Sequence, residues 1–198
     1  MVNLEISFTV LKEHINQIQE WITSDQSVLK DGLLPNWKYI IDGFSQSRAA
    51  VALLDSSAVG FAIWKPHEAD TYSIDFLQIK SNARKLGTGS LLVSKVEEML
   101  IGNGAIMVFG HSINEKSDSF WLKMGNSRLP ERQFDRSRLH YDDKFMFKIL
   151  VETLQPNLDK ESQETLELWE GEDYRITEGQ PANFVWALEF KPGTRILT

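Results

Sequence analysis

The sequence predicts a mixed α/β fold, in which a sheet is covered by helices. Three observations carry this. Residues 3–8 alternate Leu4, Ile6 and Phe8 with polar neighbours, the period of a half-buried strand. Residues 48–64 hold two apolar runs joined by Asp55-Ser56-Ser57, the pattern of a hairpin. Residues 90–109 read as an amphipathic helix, a Gly102-Asn103-Gly104 stop and a short apolar strand of the buried kind.

The elements follow in order. Thr9 is placed to cap a helix whose apolar positions Val10, Leu11, Ile15, Ile18 and Ile22 recur at helical spacing. Asp31-Gly32 reads as a turn. Pro35 opens a second helix through Trp37, Tyr39, Ile40 and Ile41, with a stop near Gly43. Residues 48–54 and 58–64 form the hairpin, ended by Lys65-Pro66. Residues 71–79 form another strand, with Tyr72, Ile74 and Phe76 on one face and Ser73, Asp75, Leu77 and Ile79 on the other. The helix after Gly89 carries Leu91, Leu92, Val96, Met99 and Leu100 on its apolar side. Residues 105–109 are the buried strand, 114–124 a helix closed by Gly125, and 144–150 a last strand. Residues 130–143 are polar and read as loop and edge strand.

After Leu150 the composition changes. Gln155-Pro156-Asn157 looks like a joint, 161–169 a helix and 184–190 a strand. The chain thus divides into a body, 1–150, and a C-terminal extension, 151–198. A segment that short is expected to pack on the body or on a partner, a second copy included.

Composition narrows the function classes. The 198 residues are 42% hydrophobic and 25% charged, ordinary values for a globular protein. The absence of cysteine excludes a disulfide scaffold, a thiol nucleophile and a Cys-ligated zinc site. No run approaches the ~18 apolar residues of a membrane helix. The N-terminus has no basic stretch followed by an apolar core, so the expectation is a cytoplasmic protein without membrane contact. The net charge is −7, but from Val151 onward ten acids face four bases. The acidity therefore belongs to the extension, and it argues against nucleic acid as a partner.

The most informative stretch joins the strand ending at Ile79 to the following helix through Arg84-x-x-Gly87-x-Gly89. A helix start presents unpaired amides and a partial positive charge, and glycines admit close approach of an anion. Arg84 and Lys85 add charge at the mouth. Alone, so short a pattern also fits a turn without a ligand.

It does not stand alone. Leu77-x-Ile79-x-Ser81-x-x-Arg84-x-x-Gly87-x-Gly89-x-x-Leu92 resembles the acetyl-CoA motif of the GNAT acetyltransferase superfamily. Residues 114–126, from Asn114 through Phe120-Trp121-Leu122-Lys123-Met124-Gly125, resemble its second helix signature, and 146–150 its closing strand. The resemblance covers about residues 3–150. It implies a GNAT fold with splayed central strands, with acetyl-CoA as cosubstrate and no metal. It implies that the pantetheine arm pairs along Leu77, Gln78 and Ile79, freed by a bulge there. The pyrophosphate would sit on the amides of Arg84, Lys85, Leu86, Gly87, Thr88, Gly89 and Ser90, with Asn114 and Trp121 lining the other side. It implies direct acetyl transfer to a primary amine of a small molecule or peptide, by positioning rather than covalent catalysis.

The sequence departs from the family at informative places. Trp121 stands where the family has a tyrosine that protonates the leaving thiolate, and an indole is a donor that does not release its proton usefully. Ser119 lies too far around that helix to replace it. Asn126 replaces the usual aromatic after the glycine, and Ser81 the usual proline at the loop start. A second reading is therefore a non-catalytic CoA-binding or interaction module.

An amine acceptor arrives protonated and must lose a proton. Two residues are candidates for that transfer. Asp75 is the acid of its strand; it reads equally as a solvated or ion-paired residue. His111 follows Gly110 at the strand's open end, and imidazoles titrate near neutrality; it reads equally as a surface histidine. His14, His67 and His140 show no partner pattern, and no metal-site spacing is present. Tyr72, Trp64, Trp37 and Phe44 read as core rather than pocket. Arg128, Arg132, Arg136 and Arg138, among Glu131 and Asp135, read as a solvated loop rather than a nucleic-acid groove.

Overall fold

A computed structural model of the chain describes residues 3–25, 33–68, 70–112, 114–128, 144–151, 164–168, 181 and 184–188. Two compact units divide it, Met1–Ala105 and Ile106–Thr198.

In the first unit four strands run in order β1 (Leu4–Ser7), β2 (Ala49–Leu54), β3 (Ser57–Pro66) and β4 (Thr71–Ile79), each antiparallel to the next. Asp55 and Ser56 both take positive φ, 47° and 67°, which is the twist a tight β2–β3 hairpin needs. Among the described residues of this unit the α-helices are α1 (Lys12–Ser24), α2 (Trp37–Ser45) and α3 (Thr88–Gly102). α1 and α2 close over one face of the sheet, where Ile18, Trp21, Ile22, Ile40 and Phe44 meet Val51, Phe61 and Ile63. Phe61, fully buried, lies 6.1 Å from the Trp21 ring and 5.8 Å from the Phe44 ring. Trp37 packs against this cluster, and Trp64 is buried as well, so these aromatics are core, as their spacing suggests. α1 also takes both backbone groups of Ala58. Trp21 Nε1–H donates to its carbonyl at 3.1 Å, and Gln17 Oε1 accepts from its amide at 2.7 Å.

The register pairs Ala50 with Ala62 and Ala52 with Gly60, so the other face is lined by small residues. α3 packs across β1, β2, β3 and β4. Its Leu92, Val93, Val96 and Leu100 are fully buried.

Three local expectations are corrected. Thr9 does not cap α1. The cap residue is Leu11, whose N–H donates to Nδ1 of His14 at 3.3 Å, so a side chain inside the helix reaches back to its start. α2 does not stop at Gly43. It runs on to Ser45, because Gly43 is a point of close approach rather than a terminus: a Cβ there would lie 2.4 Å from Cγ2 of Ile63. The faces of β4 do not alternate throughout. Ile63 pairs with Phe76 but Trp64 with Ile74, so Asp75 is an extra residue, a β-bulge. Phe76 therefore lies on the α1–α2 face while Ile74 lies on the opposite one. The register from Phe76 to Ile79 is regular against β3, so the bulge sits at Asp75 and not at Leu77–Ile79.

In the second unit β5 (Met107–Ser112) pairs antiparallel with β7 (Lys144–Ile149), which pairs with β6 (Ser127–Arg128). β5 thus runs three residues beyond the expected end and takes in His111. Met107 and Phe147 are buried at its centre. Helix α4 (Glu115–Lys123) packs on β5 and β6. Strand β8 (Glu164–Leu168) pairs antiparallel with β9 (Phe184–Leu188). The helix expected over 161–169 is thus a strand. Leu166-Glu167-Leu168 also has the period of two, and long-range pairing decides such short ambiguous runs. The expectations at 31–32, 130–143 and 155–157 lie outside the described residues.

Gly43→Ala should destabilise the protein. Helix propensity favours alanine by ~1 kcal/mol, but pressing a methyl into Ile63 costs about 1–3 kcal/mol. A lower midpoint in urea unfolding checks it; an unchanged or raised midpoint contradicts the tight α2–β3 contact.

Candidate functional site

In the first unit a glycine-containing loop leads from β4 into α3. β4 ends at Ile79, and Lys80 N–H still donates to Val59 at 2.8 Å. A 3-10 turn, Ser81–Ala83, follows. Arg84 then folds back, its Nε–H donating to the Ile79 carbonyl at 2.9 Å while its amide donates to Ser81 at 3.3 Å. Thr88, buried, closes the loop from the other end, its hydroxyl donating to the Ala83 carbonyl at 3.1 Å. Lys85 and Gly87 adopt left-handed φ values of 66° and 82°. Gly87 is the residue that starts α3. A Cβ there would meet nothing within 4 Å, so its glycine is required by backbone conformation, and the space above it is open. The first bond into the helix is Leu91 N–H to Gly87, at 2.9 Å. The amides of Thr88, Gly89 and Ser90 precede that bond, so they point out along the helix axis with the positive end of its dipole. Arg84, Lys85, Leu86 and Gly87 are exposed around them. This arrangement fits a phosphate group.

Leu77, Gln78 and Ile79 are half-buried and paired on one edge with Ala62, Phe61 and Gly60. Asp75, at the bulge, is exposed and does not stand alone. Ser73, 5% exposed, donates its hydroxyl to Asp75 Oδ1 at 2.5 Å, and His67 Nε2 lies 2.8 Å from the same Ser73 Oγ. His67 is held in the β3–β4 turn by its own amide, which donates to Thr71 at 2.8 Å. Sequence reading missed Ser73 and His67. Side chains two apart on a regular strand stand ~6–7 Å from each other, so nothing in the spacing announces this contact; the bulge permits it.

The second unit holds the remaining predicted residues. Asn114 is the cap of α4. Its Oδ1 accepts from the amides of Lys116 and Ser117, both at 3.0 Å, and its own amide donates to Ser117 Oγ at 3.1 Å. Ser112 joins this cluster, 2.8 Å from Ser117 Oγ. Trp121 is buried, 7% exposed, on the inner face of α4. Its carbonyl accepts from both the amide and the side chain of Asn126, at 3.0 and 3.2 Å. Asn126 thus ends the helix where the family usually has an aromatic. Ser119, exposed, bonds to Glu115 and faces away from Trp121, as its angular position requires. His111 is exposed, with its ring edge-on to Phe145 at 5.3 Å, and Phe145 in turn stacks on Phe109 at 5.2 Å. Arg128 makes a forked pair with the buried carboxylate of Asp118, Nε to Oδ1 at 3.0 Å and the second arm to Oδ2, which fixes β6 to α4. Arg132, Arg136, Arg138 and His140 lie outside the described residues. Among the described residues there is no group of three or more His, Asp or Glu side chains able to hold a metal, and no helix long and apolar enough to cross a membrane.

Residues 15–125 match the model of the family described as Acetyltransferase (GNAT) family. No curated protein matches the chain. Among solved structures the chain is similar to an acetyltransferase of the GNAT family from Staphylococcus aureus Mu50, at 16% identity and a TM-score of 0.59, covering 75% of this chain and 100% of that one. It is similar to the PaiA N-acetyltransferase of Thermoplasma acidophilum, solved in complex with coenzyme A, at 14% identity and a TM-score of 0.55, covering 74% and 99%. It is also similar to the N-acetylglutamate synthase of Neisseria gonorrhoeae, complexed with coenzyme A and N-acetyl-glutamate, at 18% identity and a TM-score of 0.59, covering 76% of this chain and 36% of that one. At these identities the likeness is one of fold.

Asn114→Ala should lower stability by about 1 kcal/mol through loss of the α4 cap. Asn114→Asp, which keeps an acceptor at the helix start, should restore most of it. Thermal unfolding of the three proteins checks the order.

Proposed function

The chain belongs to the GNAT acetyltransferase family, and we propose that it transfers an acetyl group from acetyl-CoA directly to a primary amine of a small molecule or peptide. The observation that carries the reading is the turn from β4 through Arg84–Gly89 into α3, with its outward amides and open space over Gly87. The coenzyme A complexes of the Thermoplasma acidophilum and Neisseria gonorrhoeae proteins support it, because both share the fold.

In this reading Lys85–Ser90 hold the diphosphate, with Arg84 fixing the loop that presents them, and Leu77–Ile79 run beside the thiol arm. Asn114 and Trp121 keep the roles the family resemblance gives them, as lining residues. The amine gives its proton through water to Asp75, whose carboxylate Ser73 holds in place by its hydroxyl. The freed amine attacks the thioester carbonyl carbon. A C–N bond forms, the C–S bond breaks, and the electron pair leaves on sulfur, which takes up through water the second proton that the nitrogen sheds on becoming an amide. His111 is the second candidate for proton transfer.

One observation favours a second reading. Trp121 is buried and offers no acid, so the chain has no tyrosine hydroxyl there to protonate the thiolate. A module that binds coenzyme A without turnover would show this feature too. Thiol release from acetyl-CoA across a panel of amines separates the two. Acceptor-dependent release is expected. It should be lost in Gly87→Asp, which puts a carboxylate into the anion position, and it should fall about a hundredfold or more in Asp75→Asn. A loss in His111→Gln with none in Asp75→Asn would move the proton-transfer role. No release with any amine, alongside binding by calorimetry, would leave the binding module.

The acidic segment 151–198 we read as an interaction element, for a second copy or another protein. Its deletion should change the mass in solution or the turnover rate; sedimentation and rate measurements unchanged by the deletion would remove that reading.

A further inference from the structure

We propose that Asp25 is a positioning residue of the anion loop, supplying from the end of α1 the acceptor that the Ser81 amide requires. The inference rests on the reading of that loop as the coenzyme's, but its geometry stands by itself. Asp25 follows the last residue of α1, and its own N–H donates to Trp21 at 2.9 Å. Trp21 is 3% exposed and tied by its indole to Ala58. Asp25 is therefore anchored on the core. Its Oδ2 accepts from the N–H of Ser81 at 3.1 Å, across 56 positions of sequence.

Ser81 is where the loop begins. It is the first residue of the 3-10 turn, and Lys80 before it is extended, with φ −53° and ψ 139°. Its amide has left the β3–β4 ladder, and the turn itself offers it no carbonyl. A proline would fit here, since it needs no amide acceptor at a first helical position and demands an extended residue before it. With serine, the amide needs a partner, and Asp25 provides it. The bond fixes where the turn starts. Arg84 and Thr88 then fix where it ends, through Ile79 and Ala83. The amides at the start of α3 are aimed by both ties.

The charge of Asp25 gives the test its sign. A carboxylate near an anion site repels the anion, so by Coulomb's law alone its removal should tighten coenzyme binding. A positioning role predicts the reverse. Asp25→Ala should weaken binding of coenzyme A about three- to tenfold by calorimetry, the scale of one hydrogen bond. Asp25→Asn, which keeps an acceptor and drops the charge, should bind as the native chain does or more tightly. In a Ser81→Pro background, where no amide is left to hold, Asp25→Ala should change affinity less than twofold. The Ser81 amide should also exchange with solvent faster in Asp25→Ala than in the native chain.

Tighter binding in Asp25→Ala, an equal loss in both backgrounds, or unchanged Ser81 exchange would each overturn the proposal. A native chain that binds no coenzyme A would bring down the reading of the loop instead, and amide exchange would still decide whether Asp25 holds it. If Ser81→Pro fails to fold, the comparison of Asp25→Ala with Asp25→Asn decides alone.

Discussion

Between Lys85 and Thr88 the backbone passes from loop to helix through a φ of 82° at Gly87, a conformation that costs ordinary residues roughly 1–2 kcal/mol. The direction of α3 follows from that turn, and with it the direction of three amides that no helix can satisfy internally. The rest of the first unit keeps the turn in place. Small residues along β2 and β3 seat α3 on the sheet. The hydroxyl of Thr88 and the guanidinium of Arg84 pin the loop from opposite ends. An anion site made of backbone needs such support, since its strength lies in amides that are already aimed before the ligand arrives.

This part of the molecule could be read from sequence because it is local. Two glycines, a preceding strand and a following amphipathic helix are all written between Thr71 and Gly102. The strands from Leu4 to Ile79 are legible for the same reason, each from a short period of two or an unbroken apolar run. What sequence could not give was the slip at Asp75. A bulge adds one residue to a period of two, so every face assignment beyond it inverts. The period of two puts Phe76 beside Ile74, and the bulge puts it opposite. The contact of Ser73 with Asp75 and His67 arises from the same irregularity. Gly43 is ambiguous in another way: a glycine that ends a helix and a glycine that lets a helix approach a strand are identical in sequence, and only Ile63 beside it separates them.

In the second unit the residues picked out by family likeness turn out to have architectural work. Asn114 caps α4, Asn126 ends it, and Asp118 with Arg128 ties it to β6. Trp121 fills the inner face of that helix. These functions explain why asparagine, tryptophan and a second asparagine can stand there whatever chemistry the chain performs. They also separate the two units in kind. Among the described residues, the first presents exposed backbone and an exposed carboxylate, while the second presents mainly packed side chains together with the exposed His111 imidazole.

The row of three side chains from Asp75 to His67 has a polarity that follows from counting hydrogens. Serine owns a single hydroxyl hydrogen, and Ser73 commits it to the carboxylate. The imidazole nitrogen on its far side is then the one that offers hydrogen. A strand carboxylate is in this way joined, through one hydroxyl, to the ring hydrogen of a histidine in a surface turn.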